Sequence, residues 1–317
     1  MSIKELVKPF IPESLLQYRR DIITKHVINS HKKMSRAEIE AWLGHCYQQR
    51  IGAELNLQDP KHYTEKVQWC KLNAMTSTKS MLADKYAVRK WVADTIGEKY
   101  LVPLIGVWDS PDEIDFESLP NSFVLKTTQG SGTNIIVTNK GDLNINRSKR
   151  LLRRWLAFDY GWIGFERHYM RIQPKVICEQ FLSNGDGGEI NDYKVLCFDG
   201  EPKYIWVDLD RHSRHSRVVF DLEWNVQPWN QYHYPEALLI PEKPVVLDEM
   251  IVTAKKLCAD FAHVRVDFFI VNDRLFFGEM TFTNGGGFEE IRPDEWDYRL
   301  GDLWSLSDEE LSDFPIE

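Results

Sequence analysis

Asp267 and Glu279 are two acids whose type and spacing point to a chemistry. They lie in VRVDFFIVNDRLFFGEMTFTNGGG, Val264 to Gly287, where two runs rich in Val, Ile, Phe and Leu flank Asn272-Asp273. That is the composition of an antiparallel hairpin with a polar turn. Period-two alternation sends Val264, Val266, Phe268 and Ile270 to one face and leaves Arg265 and Asp267 on the other; Phe277, Glu279 and Thr281 likewise share a face. A three-residue loop at Asn272, Asp273 and Arg274 sets Asp267 opposite Glu279 and Arg265 opposite Thr281. A two-residue loop would pair Asp267 with Gly278 and turn Glu279 to the wrong side. Carboxylates opposed at roughly 5 Å repel unless a cation lies between them. All-oxygen ligands of this kind suit magnesium, which binds through one or two carboxylates plus substrate phosphates. The competing account leaves both acids solvated on the open face of a half-buried sheet.

Two further stretches carry polar chemistry on apolar strands. FVLKTTQGSGTNIIV ends one strand on Lys126 and puts Gly130-Ser131-Gly132 in the turn before the next. Glycines let a loop fold closely over phosphates and a lysine supplies compact positive charge, although the spacing is not that of a P-loop and an ordinary mobile turn has the same composition. DYKVLCF and DLDRHSRHSRVVF concentrate polar residues, Lys194 among them, beside apolar strands, and offer Arg211, His215 and Arg217 to an anionic acceptor, or to solvent as a basic loop.

The elements that must hold these residues follow from the pattern. The first hundred or so residues read mainly as helix, with Ser35-Arg36-Ala37-Glu38 at capping-box spacing and one continuous helix over MLADKYAVRKWVADTIG. From Tyr100 the chain turns β-rich: VPLIGVW reads as a buried strand, PKVICEQFL as a short one, and DYKVLCFDGEPKYIWVDLD as a hairpin turned at Asp199-Gly200. A basic helix covers NRSKRLLRRWLAFDYGW, and an amphipathic one spans residues 247–261.

Composition bounds the rest. The 317 residues are 43% hydrophobic and 27% charged, as in an ordinary soluble globular protein, and a formal net charge of -9 argues against a nucleic-acid partner. No apolar run is long enough to span a bilayer and MSIKELVKPF lacks a signal-peptide core, so a cytoplasmic location is expected, with peripheral membrane contact left open. Five cysteines without close pairing read as reduced, structural thiols.

The order strand-Lys126, glycine-rich turn, VICEQFL, RVDFF and GEMTF resembles the ATP-grasp superfamily, in which two lobes clamp a nucleotide between antiparallel sheets. More narrowly, DKYAVRKWVADTIGEKYLVPLIGVW and GEMTFTNGGGF resemble the TupA-like ATP-grasp proteins associated with bacterial surface-polysaccharide synthesis. The likeness runs from roughly Asn56 to Trp304. It implies a mixed α+β chain: a largely helical domain over 1–110, a small lid lobe over 111–182 and a large metal-bearing lobe over 183–317.

Carried over by residue, it implies that Lys126 contacts ATP phosphates, that Gly130, Ser131 and Gly132 form the lid, and that Lys85 is a second lysine at the nucleotide. Glu179, Phe181 and Leu182 would form the adenine hinge, where a carboxylate and backbone groups read its amino edge. Asp267 and Glu279 match magnesium ligands, Arg265 the arginine near the transferred phosphoryl group, and Lys194 a cation of the cleft. Thr281 stands where an asparagine would complete the metal site, and Asn284 lies three residues on, so the third ligand is left between them. Gly285 and Gly286, with Gly287, would let backbone amides approach a substrate carboxylate or phosphate.

The implied activity is ligation of a carboxylate to an amine through an acyl phosphate, using ATP and magnesium, with a uronic-acid-containing sugar or glycan and a small amine as partners. A glycosyltransferase with a D-x-D metal site at Asp208 and Asp210, and a non-catalytic glycan-binding module, are the rival readings.

Overall fold

The computed structural model describes residues 13–185, 189–209, 215–235 and 237–314. The helical start comprises α1 (Glu13–His31), α2 (Arg36–Arg50), α3 (Tyr63–Asn73), α4 (Ser77–Ala83) and α5 (Val88–Thr95). Ser35 and Glu38 close the expected capping box on α2, the Glu38 carboxylate accepting from Ser35 N–H at 2.8 Å. The expected continuous helix over 81–97 is instead broken into α4 and α5. The Asp84 carboxylate accepts from the N–H groups of Tyr86 and Ala87, and this turn, entered through the extended backbone of Asp84, separates α4 from α5.

The strands β1 (Leu104–Trp108), β2 (Phe123–Thr127) and β3 (Asn134–Val137) are followed by α6 (Ile145–Leu156), α7 (Gly161–Gly164) and β4 (Val176–Gln180). These strands form one antiparallel sheet of four in the order β1-β4-β2-β3. β1 therefore belongs to this sheet, not to the helical segment that a boundary at 110 assigns it to. It is also an edge strand with Leu104 and Ile105 exposed, where VPLIGVW reads as buried. One face of the sheet packs Phe123, Leu125, Val176 and Cys178 against Leu152 of α6; Lys126 and Glu179 project from the opposite face.

The second sheet comprises β5 (Asp192–Phe198), β6 (Glu201–Leu209), β7 (Ser216–Phe220), β9 (His263–Val271) and β10 (Arg274–Thr281), ordered β10-β9-β5-β6-β7 and antiparallel throughout. The β5–β6 hairpin turns at Asp199-Gly200 as its sequence indicates, both with positive φ. Between β7 and β9 lie β8 (Asn230–Gln231) and α8 (Leu247–Cys258), and after β10 come β11 (Ile291–Arg292) and α9 (Asp294–Asp302).

Alternation gives this sheet two unlike faces. Val195, Cys197, Ile205, Val207, Val264 and Val266 meet Met250, Ala254 and Leu257 of α8 and Val88 and Val92 of α5 in the main core. On the other face Leu196, Phe198, Trp206 and Val219 are covered by α3 and α9, while the acids and bases of β5, β9 and β10 occupy the remainder.

Candidate active site

The hairpin of β9 and β10 reaches the expected pairing by another route. Asn272 and Asp273, with φ of 49° and 56°, make a two-residue turn in which Arg274 faces Val271. A bulge at Gly278 then shifts the register by one, so that Glu279 faces Asp267 and Thr281 faces Arg265. The extra residue sits in the strand, not in the loop. Gly278 lacks a Cβ where one would lie 3.0 Å from the Asp267 carbonyl oxygen, which is what permits the bulge to close.

These residues converge on one atom. Nη2 of Arg265 lies 2.8 Å from Asp267 Oδ2, 3.3 Å from Glu279 Oε1 and 3.1 Å from Thr281 Oγ1. Arg265 Nε donates to Asp267 Oδ1 at 2.7 Å, and its Nη1 donates to Asn284 Oδ1. Three oxygens drawn together around a positively charged nitrogen are a hard donor set of the kind magnesium takes. Thr281 shares that position, and Asn284 is engaged one nitrogen away on the same guanidinium. Asp267 is 4% exposed; burial alone would raise its pKa, and Arg265 and Lys194 outweigh it and hold the carboxyl below its ordinary range.

Lys194 stands beside this group on β5, its Nζ 3.2 Å from Asp267 Oδ2, 3.0 Å from Asp192 Oδ2 and 3.6 Å from Asp208 Oδ2. Burial opposes its charge, but Asp267 and Asp192 keep its pKa raised. It is a neutralised member of the sheet's ion network.

Arg217 belongs to the same network and not to an acceptor site. Cross-strand pairing sets it opposite Asp208, and Nε and Nη2 take both carboxylate oxygens at 2.5 and 2.9 Å. Gln231 accepts from its Nη1, and Trp206 and Tyr234 sandwich its guanidinium, which is buried. Asp208 thus gives both its oxygens to Arg217, whereas Asp210, Arg211 and His212 lie outside the described residues. His215 is half-exposed at the end of the network, its Nε2 3.4 Å from Asp208 Oδ2.

The four-stranded sheet brings the other group together. Glu179 accepts from Lys126 Nζ at 2.7 Å and from Arg89 Nη1 at 2.8 Å, so both its oxygens are engaged. Gly130 and Gly132 have φ of 76° and 71°, and Lys85 Nζ donates to the Gly130 carbonyl at 2.6 Å, pinning the turn that exposes Ser131. Burial lowers the Lys85 pKa, with Glu279 pulling the other way, so this lysine feels the acids of both sheets. Phe181 and Leu182 line a 490 Å³ cavity with Val271 and Phe276 at the hinge, and Leu182 packs with Ile190 and Phe269. Asp267, Glu279, Lys126 and Lys85 lie outside that cavity, whose lining is mixed, with Glu98, Lys99 and Arg274 beside the apolar residues.

The family model described as TupA-like ATPgrasp matches residues 65–305. The chain belongs to the TupA-like ATP-grasp family. Its mixed α+β architecture, with antiparallel sheets of four and five strands and a small two-stranded one of β8 and β11, is that of an ATP-grasp protein. Among solved structures, D-alanine–D-alanine ligase from Bacillus anthracis matches at 18% identity over 67% of this chain and 60% of that one, with a TM-score of 0.39. The ATP-grasp ligase PsnB, complexed with a phosphomimetic variant of its minimal precursor, Mg and ADP, matches at 13% identity over 74% and 60%, TM-score 0.41. L-amino acid ligase from Bacillus licheniformis matches at 12% over 67% and 43%, TM-score 0.39. The chain thus spans 60% or less of the length of these three proteins. No curated protein matches it.

In this ATP-grasp chain several residues around the site escape a reading by motif. Arg89 is one, although it lies four residues beyond Lys85 in the segment that carries the family likeness. On α3, Gln68 and Lys71 both donate to the Gly286 carbonyl at 2.9 Å, and Gln68 also to that of Gly287 at 2.8 Å. They fix a loop in which Gly285 and Gly286 are left-handed, with φ of 57° and 60°. Glu166 accepts from Thr283 at 2.6 Å beside the same loop, and the Tyr160 ring lies where a Cβ on Gly130 would be. No local sequence signal joins these residues, because each contact spans a large sequence separation. Among the described residues no helix is long and apolar enough to cross a membrane.

Proposed function

We propose that this protein is an ATP-dependent carboxylate–amine ligase that activates its carboxylate as an acyl phosphate. The observation that carries the reading is the convergence of Asp267, Glu279 and Thr281 on one cation position, with Lys85 of the glycine turn near enough to feel the Glu279 charge. In this reading a phosphoryl group passes from ATP to a carboxylate, and an amine then displaces phosphate. Asp267 and Glu279, with Thr281 beside them, would hold magnesium, which would supply charge neutralisation between an anionic nucleophile and the triphosphate.

The chain's own residues do the positioning. Lys126 and Lys85 bind phosphate oxygens, and the turn at Gly130, Ser131 and Gly132 closes over them and excludes water from a hydrolysable intermediate. Phe181 and Leu182 hold the adenine against the apolar wall of Val271 and Phe276. Arg265 meets the developing charge on the transferred group, a role that electrostatic preorganisation makes large. Gly285 and Gly286 receive the acceptor carboxylate at backbone amides, on a loop braced by Gln68 and Lys71.

The substrates proposed are a uronic-acid carboxylate, on a sugar nucleotide or glycan, and an amino acid or other small amine, in surface-polysaccharide synthesis on the cytoplasmic side. What motivates this context is the resemblance of DKYAVRKWVADTIGEKYLVPLIGVW and GEMTFTNGGGF to proteins associated with such synthesis. Incubation with ATP, magnesium and uronate–amine pairs is expected to release ADP only when both acceptors are present. ADP release indifferent to the acceptors, or release of a nucleoside diphosphate from a sugar nucleotide without ATP, counts against it.

A further inference from the structure

We infer that Arg265 is the resident counter-ion of the metal site and that the divalent cation enters by exchange with its guanidinium. The inference rests on the ligase reading's placement of magnesium. One nitrogen, Nη2, is within 3.3 Å of all three oxygens that would bind the metal. Magnesium demands ligands at about 2.0–2.1 Å, so a metal on these oxygens and a guanidinium nitrogen among them cannot share the position. Two cations that close would also repel one another.

The surroundings are built for the exchange. Asp267 does not become an isolated buried anion when the guanidinium leaves, because Lys194 Nζ stays 3.2 Å from its Oδ2. Glu279 is the accessible member of the pair, its side chain 39% exposed. Arg265 keeps an anchor in Asn284, whose Oδ1 accepts from Nη1, while Asn284 Nδ2 is buried without a hydrogen-bond partner among the described residues. Asn284 opens the glycine loop, so a guanidinium that gives up Asp267 and Glu279 swings toward the loop. Metal loading and delivery of the arginine to the reacting group are then one event. Nucleotide-free protein keeps its two acids neutralised and its arginine parked.

The test is Mn²⁺ binding to the full-length, nucleotide-free protein, followed by electron paramagnetic resonance. Arg265→Gln removes the competitor and is expected to tighten Mn²⁺ by roughly tenfold or more over wild type, as expected for loss of charged hydrogen bonds that the metal must otherwise break. Adding Glu279→Gln should abolish the gain. Affinity in Arg265→Gln equal to or weaker than wild type overturns the exchange. Acceptor-dependent ADP release by wild type is scored separately: release without the Mn²⁺ gain sinks the exchange and leaves the ligase reading standing, whereas the gain without release does the reverse. If Arg265→Gln does not fold, wild-type crystals soaked with MnCl₂ and ADP decide. An anomalous peak between Asp267 and Glu279 with the guanidinium moved supports exchange; a peak with Arg265 still paired to both acids, or no peak there, overturns it.

Discussion

The two acids of the cleft differ in what they do for the fold. Asp267 is buried and ties two buried cations, Arg265 and Lys194, whereas Glu279 has a 39% exposed side chain and touches Arg265 at 3.3 Å. Asp267→Asn leaves those cations under-neutralised and is expected to cost about 3 kcal/mol, as for a broken buried pair; Glu279→Gln should stay within about 0.5 kcal/mol. Urea unfolding measures both, and equal costs would contradict this division. Each should abolish ligation, so activity alone cannot separate them. The sequence marks both as cleft acids, but nothing in it says that only one is buried in an ion network. Lys71 makes the same point more sharply. It is wholly buried on α3 with Gln68 and the Gly286 carbonyl as partners, and burial lowers its pKa to about 7. The unfolded chain carries this lysine at its ordinary value near ~10.4, so between those values it binds the extra proton and stability rises with pH. Comparing unfolding free energies at pH 7 and pH 10, the wild type should gain up to on the order of 4 kcal/mol that Lys71→Met does not show. Parallel pH profiles would mean Lys71 is not desolvated.

At the scale of elements, the site depends on where single residues interrupt a regular run. Gly278 is the extra residue that lets a two-residue turn coexist with the Asp267–Glu279 pairing. The hairpin, its acids and their facing are legible in the sequence because alternation fixes faces; the interruption is not placed by alternation, since a loop and a bulge shift register equally. A lone glycine within a strand pattern is the available clue. Gly278→Val puts a side chain 3.0 Å or less from the Asp267 carbonyl and should cost about 1–3 kcal/mol by overpacking, while spreading the metal pair and weakening Mn²⁺ binding. Unchanged Mn²⁺ affinity in the folded variant would show that the bulge does not set the pair. The Asp84 turn is a second interruption of this kind. It reads as helix by composition, yet it frees the Lys85 backbone N–H to reach the Thr128 carbonyl and its Nζ to reach Gly130.

Across the whole molecule, the same short segment joins the two sheets. Val88 and Val92 of α5 sit in the core of the five-stranded sheet, while Arg89 of that helix holds Glu179 of the four-stranded one, and Lys85 just before it holds the glycine turn. These contacts are invisible to a reading along the chain, since Arg89 and Glu179 are 90 residues apart and meet only once both sheets exist. On the proposed reading, a nucleotide between the sheets would act on a joint already spanned by cations, and its phosphates would compete with Glu179 for Lys126. Binding to the folded state alone stabilises it by about 2.7 kcal/mol at ligand a hundredfold above Kd. Wild type with ATP and magnesium should show that gain in urea unfolding, with less from ATP alone. Lys126→Ala should leave the unliganded stability nearly unchanged, because Arg89 still neutralises Glu179, and should lose most of the gain at the same ATP concentration. A full gain in Lys126→Ala would take this lysine out of the nucleotide site, and a gain indifferent to magnesium would separate the nucleotide from the acids of β9 and β10.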